Sequence, residues 1–203
     1  MSKIKNTTQK SKFINLNKKK TERLVLNKPG NYVVFFHNLS GKYVFEISVP
    51  NVNLDIFGLF TGKDDDKFTI ETVQHHKAPN STSNLLIKGV FQDSSKFIYQ
   101  GLIRIEKSAQ KSHAYQKNQN LIFSDKCYID SRPFLEILAN DVFCTHGSTT
   151  GKLNKDQLYY LRTRGIKNNE ATELLTKGFI NDIFEKIHDK FPSFSLTSEV
   201  KLD

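Results

Sequence analysis

Two side chains that can bind a metal or act as a nucleophile stand two residues apart: Cys144 and His146, in the run VFCTHGSTTG at residues 142–151. Successive side chains of a strand point to opposite faces, so an extended segment would place both groups on the same face. A thiolate and an imidazole are half of a zinc or iron site. No Cys-x-x-Cys or His-x-x-x-His motif lies nearby to complete it. The spacing favours either a buried Cys beside a hydrogen-bonded His or a half-site completed across a protein interface.

The residues of the same region give less support to a catalytic or nucleotide-binding role than to these two interpretations. A nucleophilic Cys144 would make the chain a β-rich Cys/His hydrolase, which is the alternative function, but groups two residues apart on one strand have little freedom to meet. The run at residues 147–152, GSTTGK, is expected to form a tight turn and imitates a phosphate loop. It has three residues between its glycines instead of four, and Leu153 stands where a Ser or Thr is required. Nucleotide binding is therefore not predicted.

The segment before this region is typical of β-structure. From about residue 31 to residue 144, short runs rich in β-branched and aromatic residues alternate with Pro, Asn, Gly and Asp turn segments, with no helical periodicity. This pattern fits a sandwich, a barrel or a parallel β-solenoid. The run QKNQN at residues 116–120 is interpreted as a corner and favours the solenoid, since stacked Asn side chains can satisfy corner backbone groups.

Helical signals begin after residue 151. Asn154 and Gln157 have the spacing of an N-terminal capping box, and Gly165 suits a left-handed C-cap. A second helical stretch follows, interrupted or kinked near Gly178 and ended by Pro192. Its apolar residues recur at intervals of three and four, so it carries a wide apolar face that must pack on the β-structure or on a partner.

Charge and composition divide the chain unevenly. The net charge is +9, but residues 1–28 hold nine basic residues against one acidic, whereas residues 29–203 hold 21 basic and 20 acidic. We therefore predict a basic, disordered leader over 1–28, a β core over 29–150 and a helical module over 151–203. The balanced body predicts no nucleic-acid partner. The chain has no long apolar run and only two cysteines, so we predict no membrane span and no disulfide framework. We expect a cytoplasmic protein, or a stromal one if the leader is an organellar presequence.

Several ordered segments carry a family resemblance: TSNLLIKGVF at residues 82–91, the segment 97–121, the long run 120–166 and KGFINDIFEKI at residues 177–187. Together they are similar to the SufB/SufD family of iron–sulfur cluster assembly proteins, over about residues 68–190. His146-Gly147 replaces the His-Glu of the SufB type, and a SufB-type cysteine falls on Asn118, so the resemblance is to SufD. Family members normally have a longer β-helix and a further N-terminal region, so the chain is expected to be a minimal member or a fragment.

The resemblance implies a mainly β fold, a right-handed parallel β-helix with a C-terminal α-helical module. It implies a scaffold subunit, not an enzyme, that pairs with a SufB-like subunit or with itself and binds the SufC ATPase. It places Cys144 and His146 at the cluster-assembly interface, as tentative metal ligands shared with the partner, with no cofactor held stably by the lone subunit and a transient iron–sulfur cluster in the complex. The residues expected to dock the ATPase are the apolar positions of the helical module: Leu158, Leu161, Leu174, Leu175, Ile180, Ile183 and Ile187.

Overall fold

The computed structural model describes residues 11–194, and the expectations for residues 1–10 and 195–203 lie outside that range. The described part forms eleven strands: β1 Lys12–Asn15, β2 Arg23–Leu26, β3 Gly30–His37, β4 Gly41–Ile47, β5 Val52–Gly62, β6 Lys67–His76, β7 Thr82–Phe91, β8 Lys96–Ile105, β9 Ser112–Ile122, β10 Tyr128–Ile137 and β11 Val142–Gly151. It also forms three helices: α1 Leu16–Lys19, α2 Lys155–Thr163 and α3 Asn168–Lys190.

The strands alternate between two parallel sheets. One sheet has the order β1-β3-β5-β7-β9-β11 and the other the order β10-β8-β6-β4-β2. Each coil of the chain therefore adds one strand to each sheet, and the coils stack into a β-solenoid of about four turns. This confirms the predicted parallel solenoid and excludes the sandwich and the barrel.

The interior of the first coils is apolar and tightly filled. In-register pairing stacks Val34 of β3, Ile56 of β5 and Leu85 of β7 in one column, and all three are fully buried. The neighbouring column holds Phe36 above Gly58, where an added Cβ would lie 2.5 Å from the Phe36 ring. A glycine is required there because the ring occupies the space that a side chain would need.

The interior becomes polar toward the C-terminal end. The column of Val34, Ile56 and Leu85 continues with Gln116 of β9 and His146 of β11. Within β9, the Asn120 side-chain amide donates to Oδ1 of the Asn118 side chain at 2.7 Å. Residues 116–120 were expected at a corner, but they lie in the middle of β9, and Gln116, Asn118 and Asn120 point inward because burial alternates along the strand.

Other asparagines form the corner that the sequence led us to expect. Asn51 and Asn80 both adopt the left-handed conformation, with φ of 62° and 56°. The Asn51 N–H donates to the Asn80 carbonyl at 3.2 Å, and the Asn80 N–H donates to the Gln110 carbonyl at 3.0 Å. Stacked corners of this kind suit Asn, which tolerates the left-handed region better than most residues.

The structure places residues 12–26 in the solenoid, where a disordered leader was predicted. β1 pairs with β3 and β2 pairs with β4. The inward side chains are buried, including Leu16 and Leu26 at 2% exposure. The lysines between them point to solvent. Because each strand is only four residues long, the alternation of inward apolar and outward polar residues is too short to recognise in the sequence.

Helix α3 lies across the outer face of the β1-to-β11 sheet. Its residues Ile183, Phe184 and Ile187 are buried against an apolar patch of that face, formed by Val33, Phe35, Phe57 and Leu59. The helix runs unbroken through Gly178, so the predicted interruption there is wrong. A glycine costs a helix only about 1 kcal/mol relative to alanine, which packing along the rest of α3 offsets.

Candidate functional site

The Cys-x-His pair lies on β11, the last strand of its sheet. Val142 and Cys144 pack inward against a small cluster of Ile103, Ile105, Ala109, Ala114 and Ala139. Farther along β11, the Ser148 hydroxyl donates to Asn118 Oδ1 at 3.5 Å. His146 lies between these two inward-facing positions, so Cys144 and His146 share the interior face of the final coil. β11 continues to Gly151, so the small-residue turn predicted over residues 147–151 is instead part of the strand.

The environment of Cys144 does not activate its thiol. Burial raises the pKa of Cys144 above its ordinary value of 9.0, although a backbone hydrogen bond with Ala114 opposes that change. The reactive thiolate is therefore scarce at neutral pH. Among residues 11–194, no three His, Cys, Asp or Glu side chains come together as a metal site. Cys144 and His146 are thus two side chains of the kinds that bind metals, and the described chain places no third acidic, thiol or imidazole group beside them.

Strand β9 lies beside Cys144 and His146 and contributes a buried glutamine. Register places Ala114 next to Cys144, and Gln116 next to His146, on β9. Gln116 is 1% exposed, and its side-chain amide donates to the Gly101 carbonyl of β8 at 3.3 Å. A Cβ at Gly101 would lie 2.2 Å from Nε2 of Gln116. Gly101 therefore leaves the space in which Gln116 spans the solenoid, a role that spacing in the sequence did not reveal.

The other wall of the final coil is β10, and it exposes apolar side chains. β10 stands at the end of its sheet and pairs with β8. Leu135, Ile137 and Leu138 are 39%, 39% and 49% exposed, although Leu135 and Ile137 continue the buried columns of Ile103 and Ile105. They are exposed because no further coil among residues 11–194 covers them. Pro133 has no backbone N–H to donate, which suits a strand at the end of a sheet.

An aromatic pair lies on the outer side of β9 and β11. Phe143 is 70% exposed, and its ring centroid lies 5.1 Å from that of His113 on β9. Sequence reasoning missed Phe143, although its place between Val142 and Cys144 implied an outward direction. Large exposed aromatic groups are enriched at protein interfaces.

Seven helical residues were expected to dock an ATPase, and the structure divides them into two sets. Ile183 and Ile187 are fully buried under α3, so they hold the helix to the solenoid and are not on an open surface. The periodicity of the sequence could not separate these two sets, because the same apolar stripe can pack on a sheet of the chain itself or on a partner protein. The remaining members are exposed or half-buried: Leu158, Leu161, Leu174, Leu175 and Ile180. Tyr159 and Tyr160 of α2 add 69% and 57% exposed aromatic side chains.

Comparison with known proteins identifies the family. The sequence model of the SUF system FeS cluster assembly SufBD core domain matches residues 15–179. The chain belongs to the SufBD family. The match begins well before residue 68, where the segment resemblance began, in keeping with the solenoid strands found at residues 12–26.

Relatives of the SufBD family support the SufD type. The chain is 29% identical to the iron–sulfur cluster assembly protein SufD of Escherichia coli over 157 residues, 77% of this chain and 36% of that protein. It is 34% identical to SufD of Bacillus subtilis over 126 residues, 62% and 28% respectively. An iron–sulfur cluster assembly SufBD family protein of Synechocystis is 34% identical over 109 residues, 54% and 24%. The aligned region therefore spans only about a quarter to a third of these relatives.

No helix among the described residues is long and apolar enough to cross a membrane.

Proposed function

We propose that this SufBD-family chain is a non-enzymatic scaffold subunit of a SUF-type iron–sulfur cluster assembly complex, working in the cytoplasm or in an organellar stroma. The observation that carries the proposal is the end of the solenoid, where β10 and β11, ten residues each, stand at sheet edges with Leu135, Ile137 and Leu138 exposed. Long edges with apolar side chains are templates for pairing with another chain.

The partner at this edge is proposed to be a second solenoid, either a SufB-like subunit or another copy of this chain. Both walls of the final coil would gain a neighbouring strand, and the exposed apolar residues would be covered. Cys144 and His146 would then lie inside the joint, where ligands from the partner could complete the coordination of iron in the cluster under assembly. The cluster is the cargo of the complex, so the lone subunit is expected to retain little iron.

A SufC-like ATPase is proposed to bind on the helical module. The accessible residues are on α2 and the first half of α3, where Leu158 and Leu161 are half-buried and Leu174 is 52% exposed. Amphipathic helices commonly dock on partners through apolar groups at these spacings. α2 contacts α3, and α3 is fixed to the sheet, so a force applied to α2 would be transmitted to the solenoid.

The solenoid joint can be tested by adding a charge to the exposed end of β10. Ile137→Lys would place an ammonium group in the proposed interface, and its desolvation is expected to weaken association by a few kcal/mol. Because Ile137 is 39% exposed, the subunit should remain folded. Val25→Lys is the matched control, since Val25 is 44% exposed on β2 at the other end of the solenoid. Copurification with a SufB-like subunit and sedimentation of the isolated chain would report both kinds of pairing. Unchanged association in a folded Ile137→Lys variant would exclude this edge.

A further inference from the structure

A groove of about 440 Å³ lies on the outer face of the β1-to-β11 sheet, beside the C-terminal half of α3. Pockets that hold small molecules have volumes of roughly 300–1,000 Å³, so the groove is large enough for one. In-register pairing places Phe57 of β5, Leu86 of β7 and Lys117 of β9 in one row across the groove floor. Phe57 is 5% exposed and Leu86 is half-buried, so the floor next to Lys117 is apolar.

The two carboxylates of the groove already have a partner for each oxygen. Asp55 Oδ1 accepts from the Asn84 side-chain amide at 2.9 Å, and Asp55 Oδ2 lies 3.5 Å from Nζ of Lys190. Asp182 Oδ2 lies 2.6 Å from Nζ of Lys88, and its Oδ1 pairs with the lysine one turn farther along α3. A cationic ligand would therefore have to displace a lysine from one of these carboxylates.

Positive charge is in excess at the groove. Lys117, Lys186 and Lys190 line it, and Lys88 lies beneath α3 at the same carboxylate as Lys186. Four ammonium groups against two carboxylates leave a net charge of +2. Among residues 11–194, no carboxylate pairs with Lys117. Burial lowers the pKa of Lys88, and the charges of Lys186 and Lys117 lower it further. These cations repel one another, and a bound anion would relieve the repulsion.

The groove is open on the side of Lys117. Lys117 is half-buried and is followed in its row by Gly147 of β11, where an added Cβ would meet nothing within 4 Å. Tyr115 and Gln119 stand two residues to either side on the same face of β9, and both line the groove. An ammonium group has three N–H donors, and the phenol and the amide add further donors. A ligand entering there would meet hydrogen-bond donors first and the apolar floor behind them.

We propose that the groove binds a small organic anion with a flat apolar body, of the class of aromatic carboxylates and aryl phosphates. The ring would cover Leu86 and Phe57, and the anionic group would accept from Lys117. Neighbouring strands lie about 4.8 Å apart, so the row from Phe57 to Lys117 spans about 10 Å, the length of one such molecule. The inference goes beyond the proposed function, because none of these residues lies on α2 or β10.

Titration of the full chain with naphthyl phosphate, followed by leucine-methyl NMR, tests the proposal. From the binding free energy per atom that is typical of small ligands, we expect a saturable shift of the Leu86 methyl resonances with a Kd of about 1 mM or below. Naphthol keeps the ring without the charge, and inorganic phosphate keeps the charge without the ring, so each should bind about tenfold more weakly. Nuclear Overhauser contacts between the naphthyl protons and Leu86 would locate the ring on the floor.

Lys117→Met keeps the length of the side chain and removes its charge. The variant should fold, because Lys117 has no ion pair among the described residues, and it should bind naphthyl phosphate about fivefold more weakly. Lys96→Met is the matched control, since it removes the same charge from an exposed position at the start of β8 on the other sheet, and its affinity should be unchanged. Equal binding of naphthol, an equal loss in both variants, or no saturable shift at Leu86 at about 10 mM probe would overturn the proposal.

Discussion

A buried lysine beneath α3 provides a quantitative test of how the helical module is held. Lys88 projects from the outer face of β7 and is 4% exposed. Its ammonium group donates to the Phe179 carbonyl at 2.8 Å, lies 2.6 Å from Asp182 Oδ2 and stands 4.3 Å from the centre of the Phe179 ring. Burial lowers the pKa of Lys88 below its ordinary value, and the bond to Asp182 opposes that change. The charge is tolerated because these groups replace water.

Removing either member of the pair should have unequal effects. Asp182→Ala leaves the buried ammonium without its carboxylate. Breaking a fully buried pair costs roughly 3–5 kcal/mol. The Asp182 side chain is 36% exposed, so solvent screening reduces the expected loss of unfolding free energy to about 2 kcal/mol. Lys88→Met removes the charge but keeps the length, and Asp182 retains its ion pair with Lys186. Apolar replacement of a buried charge is often neutral, so the expected loss is less than about 1 kcal/mol.

Urea unfolding of the two single variants and the double variant would measure this difference. The double variant should resemble Lys88→Met alone, so the coupling energy between the residues should equal in size the loss in Asp182→Ala, about 2 kcal/mol. Lys177→Met is a suitable control, because Lys177 forms an exposed pair with Glu173 on the same helix. If Lys88→Met destabilised the protein more than Asp182→Ala, the lysine would stabilise α3 mainly through Phe179 and not as a buried charge balanced by Asp182.

Three further predictions concern the interior and the site. Burial lowers the pKa of His76 from 6.5 to about 4, so the unfolded chain binds the proton first and the free energy of unfolding should fall as the pH drops from about 6.5 to about 4. At 1.36 kcal/mol per pH unit, the loss between pH 6.5 and pH 5 is roughly 2 kcal/mol. A His76→Gln variant should lose this pH dependence in acid unfolding. The raised pKa of Cys144 predicts slower iodoacetamide labelling at neutral pH than that of free cysteine, whereas rapid labelling that blocks a hydrolytic reaction would favour the hydrolase. Cys144→Ser and His146→Ala should each lower iron and sulfide content in the assembled complex without changing the subunit's thermal midpoint; full cluster content in the double variant would assign both residues a structural role.

Much of the fold could be predicted because strand alternation is a local property. Residues 82–91 and 96–105 read as strands from composition, and the turns between them from Asp and Asn. The capping of α2 was also local, since Asn154 Oδ1 accepts from the Asp156 and Gln157 N–H groups at 2.8 and 3.2 Å. Which strands pair could not be derived from alternation alone. The parallel arrangement depends on contacts between residues about thirty positions apart, and it was anticipated through corner residues and through family resemblance.

The candidate site was predictable only in part, for the same reason. The shared face of Cys144 and His146 follows from strand geometry and agrees with the structure. Gln116 could not be assigned to this region without the register, because nothing local distinguishes an inward glutamine from a corner one. Likewise, Ile183 and Leu174 belong to one helical stripe, yet α3 buries the first against the sheet and exposes the second. Periodicity identifies an apolar face but not what covers it.

The two ends of the solenoid are built differently, and this difference gives the proposed assembly a direction. At the first coil the edge strands are four residues long, and α1 packs beside β3, where the Asn17 side-chain amide donates to the His37 carbonyl at 2.7 Å. Exposed lysines surround this short edge, a combination that discourages strand addition. At the last coil the edges are ten residues long, and the side chains beside them are apolar. Strand addition is therefore favoured at β10 and β11, beside Cys144 and His146. A joint formed there by two chains would place both copies of the site at one interface.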